Sequence, residues 1–185
     1  MTDREQRLYE QVLVLRCQTG DEVAFAELLD RYGLRLRYYL QKSFGRMDGA
    51  EDAYQEIWFV AFRRIRELMD PAAFVTWLYR IAQNRVRQEL RRRRQPARPI
   101  EEADEVAQPG DDPAGFTPED GARIHAALDG LALEHREALM LRFLEGMSYE
   151  QIATVSGCGV GTVKSRLHYA KRALRRVLEE AKIHE

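Results

Sequence analysis

Residues Ser148 to Leu174 read SYEQIATVSGCGVGTVKSRLHYAKRAL, and three features of this stretch decide what fold surrounds it. Ser148 followed three residues later by Gln151 is a capping-box arrangement, which starts a helix. Ser156-Gly157-Cys158-Gly159 supplies a tight turn, and Val163, Leu167, Ala170, Leu174, Val177 and Leu178 then recur at helical spacing. The pattern predicts a short helix, a glycine-containing turn and a longer helix, the layout of a helix-turn-helix. Ile152, Ala153, Val163 and Leu167 can pack the two helices together. That leaves Thr162, Lys164, Ser165, Arg166, His168 and Lys171 for base edges and phosphates. A lone basic helix would read as a solvated charge face. A capped first helix, a glycine turn and six Lys or Arg with no acid from Val160 to Leu178 together favour DNA.

Upstream of this stretch the chain stays helical. Ile124, Ala127, Leu128 and Leu131 predict one short amphipathic helix, and Ala138, Leu139, Leu141 and Leu144 a second that Gly146 closes. Phe25, Leu28, Leu29, Tyr32, Leu36, Tyr39 and Leu40 recur at steps of three and four, with Asp21 placed as N-cap. Ala53, Ile57, Val60, Ala61, Ile65 and Leu68 repeat the pattern after Gly49. Phe74, Leu78, Ile81, Ala82 and Val86 do so after Pro71, with Arg85 and Arg87 beside the stripe. No sustained alternation bounded by hairpin turns occurs, so strands are not expected. The fold class expected is all-α: two small helical domains joined by a flexible linker, the second containing the helix-turn-helix.

The linker shows in composition. Five of the six prolines (Pro96, Pro99, Pro109, Pro113, Pro118) fall between Gln95 and Asp120, where no helical or strand period survives. The expected boundaries are a first domain over 1–94, a linker over 95–118 and a second domain over 119–185. Net charge is 29 − 30 = −1, yet its distribution is uneven. Arg80 to Arg94 holds seven arginines and one acid, Glu101 to Asp120 holds eight carboxylates and no base, and the last helix is basic again. Trp77, Tyr79 and Asn84 sit among Arg80, Arg85 and Arg87, and aromatic and amide groups beside guanidinium suit exposed bases and phosphates. Trp77 also fits a core position, and Arg91 to Arg94 also fit a solvated helix end.

Composition excludes several classes. With 45% hydrophobic and 32% charged residues the chain is too apolar for disorder throughout. No apolar run approaches the roughly 20 residues of a membrane span, and the charged start MTDREQRLYE is unlike a secretory signal. Cys17 and Cys158 lie far apart, outside any disulfide framework or zinc spacing. His125, His135, His168 and His184 form no metal-ligand pattern, and no phosphate loop or nucleophile elbow occurs. The expectation is a cytoplasmic protein without membrane insertion, metal, cofactor or enzymatic activity.

Three segments carry a resemblance. AEDAYQEIWFVAFRRI (Ala50 to Ile65), AFVTWLYRIAQNRVRQELRRRR (Ala73 to Arg94) and LMLRFLEGMSYEQIATVSGCGVGTVKSRLHYAKRAL (Leu139 to Leu174) resemble the core-binding, promoter-melting and minus-35-reading segments of the extracytoplasmic-function sigma factors of bacterial RNA polymerase. The resemblance implies a subunit that binds core RNA polymerase, recognises minus-35 and minus-10 promoter elements and initiates transcription. It implies that Asp52, Gln55 and Glu56 match the DxxQE motif gripping the polymerase clamp helices. It implies that Asn84, with Arg80, Arg85 and Arg87, engages the single-stranded minus-10 element, and that Arg142, Lys164, Ser165, Arg166 and Lys171 approach the minus-35 duplex. The acidic linker is similar to the family's segment in the RNA path, where carboxylates could stand in for phosphates; a solvated tether is the other reading. An anti-sigma factor or another regulator is an implied partner.

Two departures from the family pattern stand out. Leu68-Met69-Asp70-Pro71 replaces the aromatic-basic-glycine loop common before the melting helix, and His168 and Tyr169 replace an aromatic and an Arg late in the recognition helix. In that loop Leu68 and Met69 can wall a pocket for an extruded base. An ionised Asp70 only accepts hydrogen bonds, so it would favour cytosine or adenine over thymine; it could instead cap the helix after Pro71. The alternative function is a polymerase-independent helix-turn-helix regulator, which would leave the DxxQE-like segment unexplained. The sequence given ends soon after the recognition helix, so no further regulatory domain is expected.

Overall fold

In the N-terminal part the first two helices start where a side chain takes up free N–H groups of the first turn. The computed structural model describes residues 2–45, 48–92 and 121–183. Helix α1 (Asp3–Gln18) opens on a capping box between Thr2 and Glu5, and α2 (Glu22–Phe44) opens on Asp21, whose carboxylate accepts from Val23 and Ala24 N–H at 3.0 and 3.1 Å. Helix α3 (Ala50–Arg64) follows Gly49, whose φ of +109° lies in the left-handed region that favours glycine. Two 3₁₀ turns, Ile65–Glu67 and Pro71–Ala73, lead into α4 (Phe74–Arg92).

The apolar stripes read from the sequence face one another. Leu28, Tyr32, Leu36, Tyr39 and Leu40 of α2 are buried with Ile57 and Trp58 of α3 and Leu78, Tyr79, Ala82 and Val86 of α4. Aromatic rings meet edge-on across these helices, Tyr39 with Tyr79 at 5.2 Å and Phe25 with Trp58 at 5.7 Å. Gly33 lets α2 and α3 approach closely: a Cβ there would lie 2.7 Å from the Tyr54 hydroxyl. Helix α1 adds Leu13, Val14 and Cys17 to this core. At its end Gln18 donates to the Ile65 and Leu68 carbonyls at 3.0 and 2.7 Å, tying α1 to the turn that follows α3.

The C-terminal part is a second compact unit, whose described residues form α5 (Gly121–Asp129), α6 (Leu133–Phe143), α7 (Tyr149–Ser156) and α8 (Val160–Ile183). Helices α5, α6 and α7 all pack on α8, burying Leu128, Leu139, Leu141, Met147, Ile152 and Val155 against Val163, Leu167, Ala170 and Leu174. No strand occurs among the described residues. The chain is all-α. The expected linker, 95–118, lies outside the described residues, as do Arg93 and Arg94.

Candidate polymerase and nucleic-acid interfaces

Helix α3 buries Ala53, Tyr54, Ile57, Trp58 and Ala61 and so turns the opposite face to solvent. Asp52, Gln55 and Glu56 are exposed there, one above another at spacings of three and four. Phe59 continues the strip one turn on, 59% exposed, with the Arg63 guanidinium 5.5 Å above its ring. Carboxylates, an amide and an exposed aromatic on one rigid helix suit a basic, partly apolar protein surface. Phe59 was not among the residues expected there. Its signal was its position seven residues after Asp52.

On α4 the expected nucleic-acid residues divide. Arg80 and Asn84 are exposed and Arg87 half-buried, at spacings of four and three on the face opposite the buried Leu78, Ala82 and Val86. Exposed Arg91 extends that stripe by one more turn. Arg85 lies on the flank toward α3, donating from Nε to Glu56 at 2.5 Å and from Nη1 to Glu89 at 3.2 Å. Burial draws its guanidinium pKa down, but the hydrogen bonds to Glu56 and Glu89 outweigh this and leave it raised. Trp77 is half-buried, its ring 6.1 Å from Phe74.

The loop between the 3₁₀ turns does not close a pocket by itself. Leu68 is half-buried and its carbonyl is taken by Gln18, whereas Met69 is 99% exposed. One Asp70 oxygen accepts from Ala72 N–H at 2.9 Å, so the capping alternative is the arrangement seen.

The second unit forms the expected motif. The Ser148–Gln151 capping box starts α7, and Gly157 ends it in the left-handed conformation at φ +63°. Ile152, Val163 and Leu167 are buried between α7 and α8, whereas Ala153 is half-buried. Lys164 and His168 are exposed and Thr162 and Ser165 half-buried; Ser165 and His168 share an outer face with exposed Arg172. Arg172 was not among the expected site residues, although it follows His168 by one helical turn. Glu150 of α7 has its carboxyl held below the usual range by backbone hydrogen bonding, by the Ser148 side chain and by nearby Lys164.

Other basic residues are engaged within the unit. Arg166 Nη1 lies 3.7 Å from Cys158 Sγ in the turn, and the Lys171 ammonium sits 5.3 Å above the Phe143 ring. Arg142 donates to the Met147 carbonyl at 2.9 Å and stacks over Tyr149 at 5.3 Å, bracing the connection from α6 to α7. Gly146, expected to end α6, has a φ of +65°; the helix itself closes at Leu144.

Fold and site define a two-unit helical protein with a polar face beside a basic helix in one unit and a helix-turn-helix in the other. Residues 28–95 match the Sigma-70 region 2 family and residues 121–174 the Sigma-70, region 4 family. The chain is 35% identical over 181 residues to the RNA polymerase sigma-H factor of Pseudomonas aeruginosa, covering 92% of this chain and 94% of that protein. It is 33% identical over 180 residues to the ECF RNA polymerase sigma-E factor of Escherichia coli K12, covering 91% and 94%. Among solved structures it is similar to CnrH in complex with the cytosolic domain of CnrY, with a TM-score of 0.65 and 27% identity over 92% of this chain and 97% of that one. The sigma factor RpoE in complex with the anti-sigma factor NepR from Bartonella quintana gives a TM-score of 0.65 and 27% identity, over 84% and 96%.

The chain belongs to the extracytoplasmic-function sigma factors of RNA polymerase. It acts as a sigma factor, binding core RNA polymerase, recognising promoter DNA and initiating transcription, and the polymerase-independent regulator is not favoured. Sigma factors are DNA-recognition subunits. No helix among the described residues is long and apolar enough to cross a membrane.

Proposed function

We propose that the chain divides promoter opening among three surfaces. Asp52, Gln55 and Glu56, joined by Phe59, dock on the clamp of core polymerase. The α4 stripe of Arg80, Asn84 and Arg87, with Arg85 on its flank, holds the single-stranded minus-10 element, with Leu68, Met69 and Asp70 beside the extruded base. Lys164, Ser165 and His168, joined by Arg172 and flanked by Thr162, Arg166 and Lys171, read the minus-35 duplex, while Arg142 braces the motif from behind. The observation that carries this reading is the opposition of charge on neighbouring helices: a carboxylate and amide face on α3 and an arginine and asparagine stripe on α4. One suits a basic protein surface, the other a polyanion.

The division of the chain into 1–94, an acidic linker over 95–118 and 119–185 belongs to the same proposal, as do a cytoplasmic location and the lack of catalytic activity. An anti-sigma factor is a further expected partner, because RpoE of Bartonella quintana is bound by one. The test is replacement of Asp52, Gln55 and Glu56 together by alanine. Core polymerase binding should be lost in co-purification while circular dichroism keeps its helical signal. Unchanged affinity would overturn the docking assignment.

A further inference from the structure

Glu56 belongs to the polymerase-facing strip, and Arg85 to the set expected on the minus-10 strand; in this structure each is the other's partner. Glu56 Oε2 accepts from Arg85 Nε at 2.5 Å. The same guanidinium donates from Nη1 to Glu89, whose side chain is 5% exposed and which also accepts from Arg92 Nη2 at 2.7 Å. The Arg85 side chain is 21% exposed and that of Glu56 53%, so the outer end of the pair is open to an incoming group while the inner end is anchored. A carboxylate spent on Arg85 is less available to a basic clamp, and an arginine spent on Glu56 is less available to a phosphate.

We propose that Glu56 holds Arg85 off the strand-binding stripe in the free chain, and that core polymerase, by taking the Glu56 carboxylate, releases Arg85 to the backbone of the minus-10 strand. Glu89 keeps Arg85 on that flank of α4 so that the release is a short swing. Docking and strand capture are then coupled, and by linkage each favours the other by the same factor. The inference rests on the assignment of Arg85 to the strand and of Glu56 to polymerase made above.

The test uses the full chain without polymerase and a labelled single-stranded oligonucleotide of mixed sequence, titrated over a series of salt concentrations. Glu56→Gln keeps the shape of the side chain and removes its charge. It should tighten binding about fivefold, near the lower end of typical couplings, and steepen the salt slope by about 0.7, the value for one more neutralised phosphate on a single strand. On an Arg85→Gln background the same change should have no effect. A gain of equal size on that background would make the effect one of net charge, and no gain on the parent background would mean that Glu56 does not restrain Arg85; either result overturns the inference. The underlying assignments are read separately. Core polymerase affinity of Glu56→Gln tests the docking role, and the holoenzyme salt slope of Arg85→Gln tests the strand role.

Discussion

Phe59 exposes most of an aromatic ring on a helix whose other large apolar side chains are mainly turned inward. At a protein interface a few aromatic anchors surrounded by polar groups carry most of the binding energy, and Asp52, Gln55, Glu56 and Arg63 supply such a rim. Phe59→Ala should weaken core polymerase binding by about 1–2 kcal/mol, roughly tenfold in Kd, with an unchanged melting temperature because the ring is not in the core. Competition binding against the parent chain measures this. The loop before α4 makes a second residue-scale prediction. Asp70 is committed to Ala72 N–H, and Asn can make the same cap, so Asp70→Asn should leave the base profile of promoters randomised across the minus-10 element as in the parent. Met69→Ala should broaden that profile, since Met69 is the fully exposed side chain of the loop. A shifted profile in Asp70→Asn would return base reading to the carboxylate.

At the scale of elements, caps separate what is legible from what is not. Asp21 and Ser148 were identified as N-caps because a short polar side chain before an apolar period has a local physical role, and both perform it. Ser148→Ala should cost about 1 kcal/mol, visible in chemical denaturation of the second unit. Helix α1 was not anticipated. Leu13, Val14 and Cys17 face the core, but Leu8, Val12 and Leu15 lie exposed on the other side, so its apolar residues show no single stripe. Its hold on the fold comes from α2, from the two 3₁₀ turns and from Gln18 reaching the Ile65 and Leu68 carbonyls, and none of these is a periodic signal. The division of α8 into an outward Ser165, His168 and Arg172 and an engaged Arg166 and Lys171 was likewise hidden, because the partners Cys158 and Phe143 come from the turn and from α6.

Across the whole molecule, a net charge of −1 conceals surfaces of opposite sign, so promoter binding should depend on salt far more than the total charge suggests. In holoenzyme titrations Lys164→Ala should weaken duplex binding evenly across sequences and lower the salt slope by about 1, and Arg172→Ala should do the same if it contacts a phosphate. Arg142→Ala should instead act through stability, because its guanidinium holds the Met147 carbonyl. An unaltered slope in Lys164→Ala would remove that residue from the interface.

The sequence by itself determined the all-α class, the helix-turn-helix and the family resemblance. Each of these rests on helical period, on a cap three residues from its partner or on a motif contiguous in the chain. Only the tertiary structure decided which charged residues are free to act. Glu56 and Arg85 are 29 positions apart, and Gln18 and Leu68 are 50 apart. A period of 3.6 residues says which face of a helix a side chain occupies. What stands opposite that face is set by the packing of other helices, and this packing sets Arg85 of α4 against Glu56 of α3.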